Sequence, residues 1–173
     1  MSLLLVGLEP GVGEPLIAHL IAQDDEVRVI EADPVRGAHW KELGAYVARG
    51  EAGDVELIER AAQNVRTIVV FERANEDLEL VVETAVEAAS LAGVERIVVC
   101  AAAVSKSVVE VLRKSGIDYV ALSSGGRRRV FGRGTVRETT ITEAIDAADD
   151  LAGPVRLELD LSRPEAWVSL GLN

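Results

Sequence analysis

Three glycines near the amino terminus have the spacing of a turn that binds phosphate groups. The segment Gly7-Leu8-Glu9-Pro10-Gly11-Val12-Gly13 joins the apolar run SLLLVG (2–7) to an amphipathic segment at 14–23. Glycines between a strand and a helix let backbone N–H groups approach a diphosphate at the positive end of the helix. The segment therefore predicts a binding turn for a dinucleotide.

An acid at the end of the second apolar run, VRVIEA (27–32), agrees with this interpretation. Glu31 follows Gly13 by about 20 residues, the spacing of the acid that hydrogen-bonds the adenine ribose of NAD. Because no basic residue follows Glu31 directly, its charge would repel the 2′-phosphate of NADP. NAD is therefore slightly favoured over NADP, although Arg36 is near enough in sequence to reverse the preference.

Other residues of the same turn oppose phosphate binding. Glu9 and Glu14 would repel a diphosphate unless their side chains point outward, and Pro10 lacks an N–H donor. The alternative is that the glycines only permit a tight turn in a scaffold that holds no cofactor, because a fold does not determine a function.

The elements that must position this turn follow from an alternation of β-branched runs with amphipathic segments. This alternation is typical of successive βαβ units and predicts a doubly wound, mostly parallel α/β sheet, a Rossmann fold with about seven strands. Asp54 is expected to cap one helix and Gly93 to end the longest one. Strands are predicted at 2–7, 27–32, 45–50, 66–71, 95–102, 117–123 and 155–162, and helices at 14–23, 35–43, 54–62, 75–92, 105–114 and 142–153.

Length and composition limit the class of protein. The 173 residues, 49% of them hydrophobic, predict a single domain over 1–173 without a separate substrate domain. The formal charge of −11 argues against binding to nucleic acid or to an anionic membrane. No apolar run reaches the ~18 residues of a membrane span and no signal peptide is evident, so we predict a cytoplasmic protein.

Cysteine and histidine usage predicts no disulfide framework and no metal site. Cys100 is the only cysteine and lies in an apolar run, and neither His19 nor His39 has the spacing of a metal ligand. A local excess of positive charge occurs in GGRRRVFGRG, where Arg127, Arg128 and Arg129 suit contact with a phosphate or carboxylate or, alternatively, a solvated loop.

Several segments in sequence order resemble the atypical short-chain dehydrogenase/reductases, in particular the small NAD(P)-binding, NmrA-like proteins. The resemblance implies a Rossmann domain that binds NAD or NADP. In that family the turn reads G-x-x-G-x-x-G; Gly7 and Gly13 match its ends, Pro10 takes the middle position and Gly11 comes one step late. The segments are LLLVGLEPGVG, VRVIEADP, LGAYVARGEAGDVELIERAAQNV, AGVERIVVCAA and SGIDYVALSSGG, and they span nearly the whole chain.

The resemblance implies further residues near the cofactor. Glu51, after the third strand, corresponds to an acid beside the adenine, and Phe71 and Glu72 correspond to the loop after the fourth strand. Ala101 and Ala102 stand at the end of the fifth strand, where catalytic members of the family carry a serine.

The acid/base pair of the extended family members is missing. Those members use a tyrosine followed four residues later by a lysine, which lowers the pKa of the tyrosine. Here Tyr46 is followed by Gly50 and Tyr119 by Ser123, so no catalytic residue is predicted.

The sequence therefore predicts a dinucleotide-binding protein that is non-catalytic or regulatory and acts on a protein partner. Two alternatives stay open: an NAD(P)-dependent oxidoreductase or isomerase with a small-molecule substrate, and a cofactor-free Rossmann interaction domain. The helix predicted at 75–92 is apolar on more than one face, which predicts a homodimer.

Overall fold

The structure is a computed structural model that describes residues 2–74, 76–124 and 138–172. Strands and helices alternate through these ranges. The strands are β1 (Ser2–Val6), β2 (Glu26–Glu31), β3 (Tyr46–Arg49), β4 (Thr67–Phe71), β5 (Arg96–Ala101), β6 (Asp118–Ser123) and β7 (Arg156–Asp160). The helices are α1 (Pro10–Ala22), α2 (Pro34–Glu42), α3 (Val55–Ala61), α4 (Leu78–Ala92), α5 (Lys106–Ser115), α6 (Glu138–Asp150) and α7 (Pro164–Ser169).

The seven strands form one sheet in the order β3-β2-β1-β4-β5-β6-β7, and every neighbouring pair is parallel. The predicted doubly wound Rossmann fold is therefore confirmed. The chain leaves β1 toward one edge of the sheet and then returns to place β4 on the other side of β1. Ligands of such sheets bind outside the carboxyl ends of the strands where this order reverses, which here is between β1 and β4.

Both faces of the central strands are covered, which is why their sequences are almost continuously apolar. Leu3 and Leu5 of β1 pack in a cluster with α1, α2, α6 and α7, while Leu4 and Val6 pack on the opposite face with α3, α4 and α5. The outer strand β7 alternates exposed with partly buried residues, in agreement with its predicted place at an edge.

Local signals fix most of the helix ends. Gly93 has a φ of +72° and ends α4 in the left-handed conformation, as predicted. The predicted cap of α3 is confirmed, because the Asp54 side chain accepts a hydrogen bond from the N–H of Leu57. Side chains also cap α2, α4 and α5, through Asp33, Asp77 and Ser105 respectively.

Four differences from the predicted elements stand out. Helix α1 begins at Pro10 rather than at residue 14, because proline is suited to the first helical position. Gly11 and Gly13 therefore belong to the helix and not to the preceding loop. Helix α4 begins at Leu78 rather than at 75, α6 begins four residues earlier than predicted, and α7 was not predicted. None of the described helices is long and apolar enough to cross a membrane.

Candidate functional site

Gly7 directly follows β1 at the point where the strand order reverses. Its φ is +77°, and a Cβ atom placed on it would lie 2.5 Å from the carbonyl oxygen of Phe71. A side chain is excluded for both reasons, so this glycine lets the end of β1 approach the end of β4. The close approach brings the backbone of residues 7–9 and the start of α1 to the carboxyl edge of the sheet.

The first turn of α1 presents fewer amide donors than the glycine pattern suggests. Pro10 has no N–H, and the N–H groups of Val12 and Gly13 donate to the carbonyl oxygen of Glu9 over 3.2 and 2.8 Å. The exposed Gly11 carries the N–H that this pattern leaves for a ligand.

Gly13 has a packing role in this structure. A Cβ atom on it would lie 2.7 Å from Cη2 of Trp40 and 2.9 Å from Cδ2 of Leu8. The missing side chain lets α1 lie against the indole of α2 and against the loop. This explains why a glycine occupies the position, independently of any phosphate contact.

Arg73, in the loop after β4, lies across the glycine turn. Its Cγ and Cδ atoms are each 3.5 Å from the position of a Cβ on Gly7. Its Nε donates to Oε1 of Glu9 over 3.1 Å and its Nη1 donates to Oε1 of Glu76 over 3.2 Å. The Glu9 carboxylate, expected to repel a diphosphate, is therefore paired with a guanidinium.

Glu31 lies at the end of β2 and is almost completely buried. Its Oε1 accepts hydrogen bonds from the N–H of Asp33 (2.9 Å) and from Nη2 of Arg36 (3.0 Å). Its Oε2 accepts a longer one, 3.4 Å, from Nε1 of Trp40. The carboxylate that the sequence assigns to the adenine ribose is thus already bonded to protein groups.

Arg36 forms an ion pair with Glu31 at the end of β2, so both charges are present there. Its hydrogen bond with Glu31 raises the pKa of the guanidinium, and its side chain is 30% exposed. Its Nε is buried without a hydrogen-bond partner among the described residues. The neighbouring Asp33 caps α2, and the N–H groups of Arg36 and Val35 lower the pKa of that carboxyl. An unsatisfied guanidinium nitrogen here suits an anionic ligand.

The other residues that the sequence assigned to the site lie along the carboxyl edge. Glu72 bridges β4 and β5: its N–H donates to the carbonyl oxygen of Cys100 over 2.9 Å, and its Oε2 accepts from the N–H of Ala102 over 2.8 Å. Phe71 and Ala101 are buried at the ends of their strands, and Glu51 is exposed in the turn after β3.

Both tyrosines lie away from this edge. Tyr46 is the first residue of β3 and is 67% exposed, and Tyr119 is the second residue of β6 and is buried. The strands are parallel, so both side chains begin near the amino edge of the sheet, at the far end from Gly7. At the carboxyl edge, the Ser123 hydroxyl accepts a hydrogen bond from the N–H of Val104 over 3.1 Å.

The two histidines and the cysteine are paired with other side chains or buried. His19 lies 3.0 Å from a carboxylate oxygen of Asp146 and so joins α1 to α6, and His39 lies 2.9 Å from one of Glu14 and joins α2 to α1. Cys100 is buried in β5, where burial raises the pKa of its thiol. The described residues contain no cluster of three His, Cys, Asp or Glu side chains placed to hold a metal ion. Arg127, Arg128 and Arg129 lie outside the described residues.

A dinucleotide fits this arrangement of residues. The Gly7 backbone leaves space that a Cβ would fill, and Arg36 offers a guanidinium nitrogen without a partner. The structure thus brings the turn at 7–13, Glu31, Phe71, Glu72 and Ala102 to one edge of the sheet. Sequence reasoning missed Arg73 because its partner Glu9 lies 64 residues away in the chain. The signal that could have found it was its position just after β4, which lies beside β1 where the strand order reverses.

A family model described as the TrkA-N domain matches residues 5–123, from β1 to the end of β6. The chain belongs to the TrkA-N domain family. Among curated proteins, none matches the chain in sequence. The TrkA-N match and the fold make it an NAD(P)-binding Rossmann protein.

Solved structures of other proteins share this Rossmann fold. The anaerobilin reductase ChuY from Escherichia coli O157:H7 is 16% identical, with a TM-score of 0.74 over 91% of this chain and 95% of that one. The triphenylmethane reductase of Citrobacter sp., complexed with NADP(H), is 17% identical, with a TM-score of 0.69 over 92% of this chain and 69% of that one.

The NADPH complex of the Escherichia coli quinone oxidoreductase QOR2 is 15% identical to this chain. Its TM-score is 0.71, over 91% of this chain and 68% of that one. At such identities the likeness establishes the fold alone. It confirms the resemblance to the atypical short-chain dehydrogenase/reductases at that level.

Proposed function

We propose that this protein binds NADP(H) at the turn 7–13 and along the carboxyl edge of the sheet, and that the bound cofactor regulates contacts with a protein partner instead of supporting tyrosine-dependent catalysis. The observation that carries the non-catalytic part of the proposal is the position of the two tyrosines, both near the amino edge of the sheet and away from this site. Regulation of this kind requires the protein to have two conformations that differ in affinity for the cofactor.

The proposed site consists of the backbone at Gly7, Leu8, Glu9, Pro10 and Gly11, with Val12 and Gly13 supporting the turn. The adenosine end lies beside Glu31, with Glu51 in the adjoining turn. The remaining proposed neighbours of the cofactor are Phe71, Glu72, Ala101 and Ala102.

The preference for NADP(H) rests on the ion pair between Arg36 and Glu31, 3.0 Å apart. The slight sequence preference for NAD assumed that the charge of Glu31 is not neutralised. Because Arg36 neutralises it and has a buried nitrogen without a partner, a 2′-phosphate would meet a guanidinium at this end of β2. NAD remains the alternative, in which the ribose hydroxyls displace Arg36 from the carboxylate.

Calorimetric titration with NAD, NADH, NADP and NADPH tests the binding proposal. We expect NADPH to bind most tightly and Arg36→Gln to weaken NADPH by about tenfold while changing NADH little, because the lost contact is with the 2′-phosphate. Arg113→Gln is the matched control, since that side chain is 59% exposed and its partner Glu158 belongs to the edge strand β7. Equal losses for NADPH and NADH would reject the preference, and no binding by any of the four would favour a cofactor-free interaction domain.

A second candidate function is that of an NAD(P)-dependent oxidoreductase with a small-molecule substrate. It is favoured by the match to ChuY, named a reductase, of which this chain covers 95%. A bound nicotinamide would supply hydride transfer, and substrate protonation would come from water. NADPH oxidation with carbonyl, quinone and flavin substrates distinguishes the two candidates, because turnover with any of them would replace the regulatory proposal.

Location, domain organisation and assembly stay predictions: a single cytoplasmic domain over 1–173, and a homodimer formed through α4. Much of the apolar surface of α4 packs against the sheet, α3 and α5, but Leu80 and Leu91 are 57% and 60% exposed on its outer side. A homodimer would bury both leucines. Light scattering that shows a monomer at tens of micromolar protein would reject it.

A further inference from the structure

The guanidinium of Arg73 is held by two carboxylates directly over the turn that is proposed to receive the diphosphate. Nε and Nη1 donate to Glu9 and Glu76, and the aliphatic part of the side chain covers Gly7. The side chain is only 17% exposed, so its position is fixed by packing as well as by charge.

Glu9 lies at the amino end of α1, where the dinucleotide-binding function proposed above would place a phosphate. It is the residue that caps the amino end of α1, yet its side chain makes no capping hydrogen bond and instead reaches Arg73. A carboxylate at this point repels a diphosphate and at the same time neutralises the nearest cation. Glu76, three residues beyond Arg73, can keep the guanidinium in place when Glu9 releases it.

We propose that Arg73 is a ligand of the cofactor diphosphate and that the Glu9 carboxylate competes with the diphosphate for it. This inference rests on the dinucleotide-binding function proposed above. Glu9 and a phosphate oxygen are alternative acceptors for the same guanidinium, so the affinity of the site depends on how easily Glu9 leaves. The Glu9 carboxylate therefore makes the dinucleotide affinity weaker than the glycine turn and a free Arg73 would give together.

The test compares the affinities of Glu9→Gln and wild type for NADPH by calorimetry. We expect Glu9→Gln to bind NADPH about fivefold more tightly, because glutamine removes the competing charge and leaves the turn unchanged in size. Glu14→Gln is the matched control: it removes one charge from the same helix, but that carboxylate pairs with His39 and not with Arg73. An equal gain in both variants would overturn the proposal, because it would reflect the general charge of the helix end.

Arg73 variants test the other half of the pair. Arg73→Gln should bind NADPH about tenfold more weakly than wild type, and Arg73→Lys should lie between them because it keeps the charge but not the fork of donors. Thermal melting of each variant verifies that it is folded. Wild-type affinity in Arg73→Lys and Arg73→Gln would overturn the proposal.

The outcomes separate this inference from the proposed function. If wild type binds NADPH and Glu9→Gln binds it no better, the competition is rejected and the binding function stands. If neither protein binds any of the four nucleotides, both proposals are rejected. Binding by Glu9→Gln but not by wild type would be the strongest support for the competition.

Discussion

Arginines lie next to carboxylates at both the amino edge and the carboxyl edge of the sheet, but their hydrogen-bond acceptors differ. At the amino edge, Arg96 of β5 is 4% exposed. Its guanidinium donates to the carbonyl oxygens of Ala148, Asp149 and Leu151 at distances of 2.7, 2.6 and 2.8 Å. These acceptors belong to the end of α6 and the residue after it, so Arg96 fastens that helix to the sheet.

At the carboxyl edge the acceptors are side-chain carboxylates instead of backbone groups. Arg73 pairs with Glu9 and Glu76, and Arg36 pairs with Glu31. A carboxylate can rotate away and be replaced by another anion, whereas the carbonyls at the end of α6 cannot leave Arg96 unless the helix end unfolds. This difference predicts that Arg96 serves stability, whereas Arg73 and Arg36 serve the exchangeable binding proposed above.

The most severe test of this comparison replaces one arginine at each edge. Arg96→Gln should lower the free energy of unfolding by about 3 kcal/mol or more, because buried carbonyl oxygens lose their donors. Arg73→Gln should lower it by less than about 1 kcal/mol, because its partners can turn to water. Urea unfolding measures both, and similar losses in the two variants would show that both edges are structural.

A smaller effect separates packing from binding within the carboxyl edge itself. Gly13→Ala should lower the free energy of unfolding by about 1–3 kcal/mol, because the new methyl group would press on Trp40 and Leu8. Gly53→Ala is the matched control, since a Cβ atom there would have nothing within 4 Å. If Gly13→Ala kept full stability but lost NADPH binding, Gly13 would contact the phosphates as its sequence position suggests.

The smallest expected effect concerns the acid beside Arg96. Asp149 is buried, accepts a hydrogen bond from the Thr67 hydroxyl, and has a pKa that burial raises above the ordinary 3.8. The folded protein therefore keeps this proton over a pH range in which the unfolded chain has lost it. Wild-type stability falls as the pH rises through that range, and Asp149→Asn, which cannot ionise, lacks this fall.

Asp149→Asn should accordingly gain stability relative to wild type as the pH rises from below 3.8 toward neutrality. Thermal melts across that range measure the difference. Asp150→Asn, at an exposed neighbouring position of α6, serves as the control. A difference that stays constant with pH would mean that Asp149 remains ionised when buried, with Arg66 as its counter-ion at 3.8 Å.

The sheet was predictable because burial on both faces leaves a strong local signal. Runs such as LLLV in β1 and IVVCA in β5 are apolar throughout, and Gly93 marks the end of α4 as clearly as a helix end can be marked. The start of α1 was harder, because the same glycines suit a loop and the first turn of a helix. Short α7 was overlooked since six residues carry little periodicity.

The charges of the site were the least predictable part. Glu31 was identified from spacing along the chain, but its pairing with Arg36 depends on side-chain geometry. The contact between Arg73 and Glu9 joins residues from two different βα units, and the contact between Arg96 and α6 spans more than fifty residues. Such contacts form only when folding brings distant segments of the chain together, so residue spacing along a single sequence does not predict them.

The burial of Trp40 gives the molecule an optical reporter of its own site. Its Cη2 atom lies 2.7 Å from the position of a Cβ on Gly13, and its Nε1 donates to Glu31. Trp167, the other tryptophan of the chain, donates to the carbonyl oxygen of Leu161, just after the outer strand β7. Reduced nicotinamide absorbs light in the range where indoles emit. Quenching that survives Trp167→Phe would therefore come from Trp40 and allow occupancy to be followed in real time without a label.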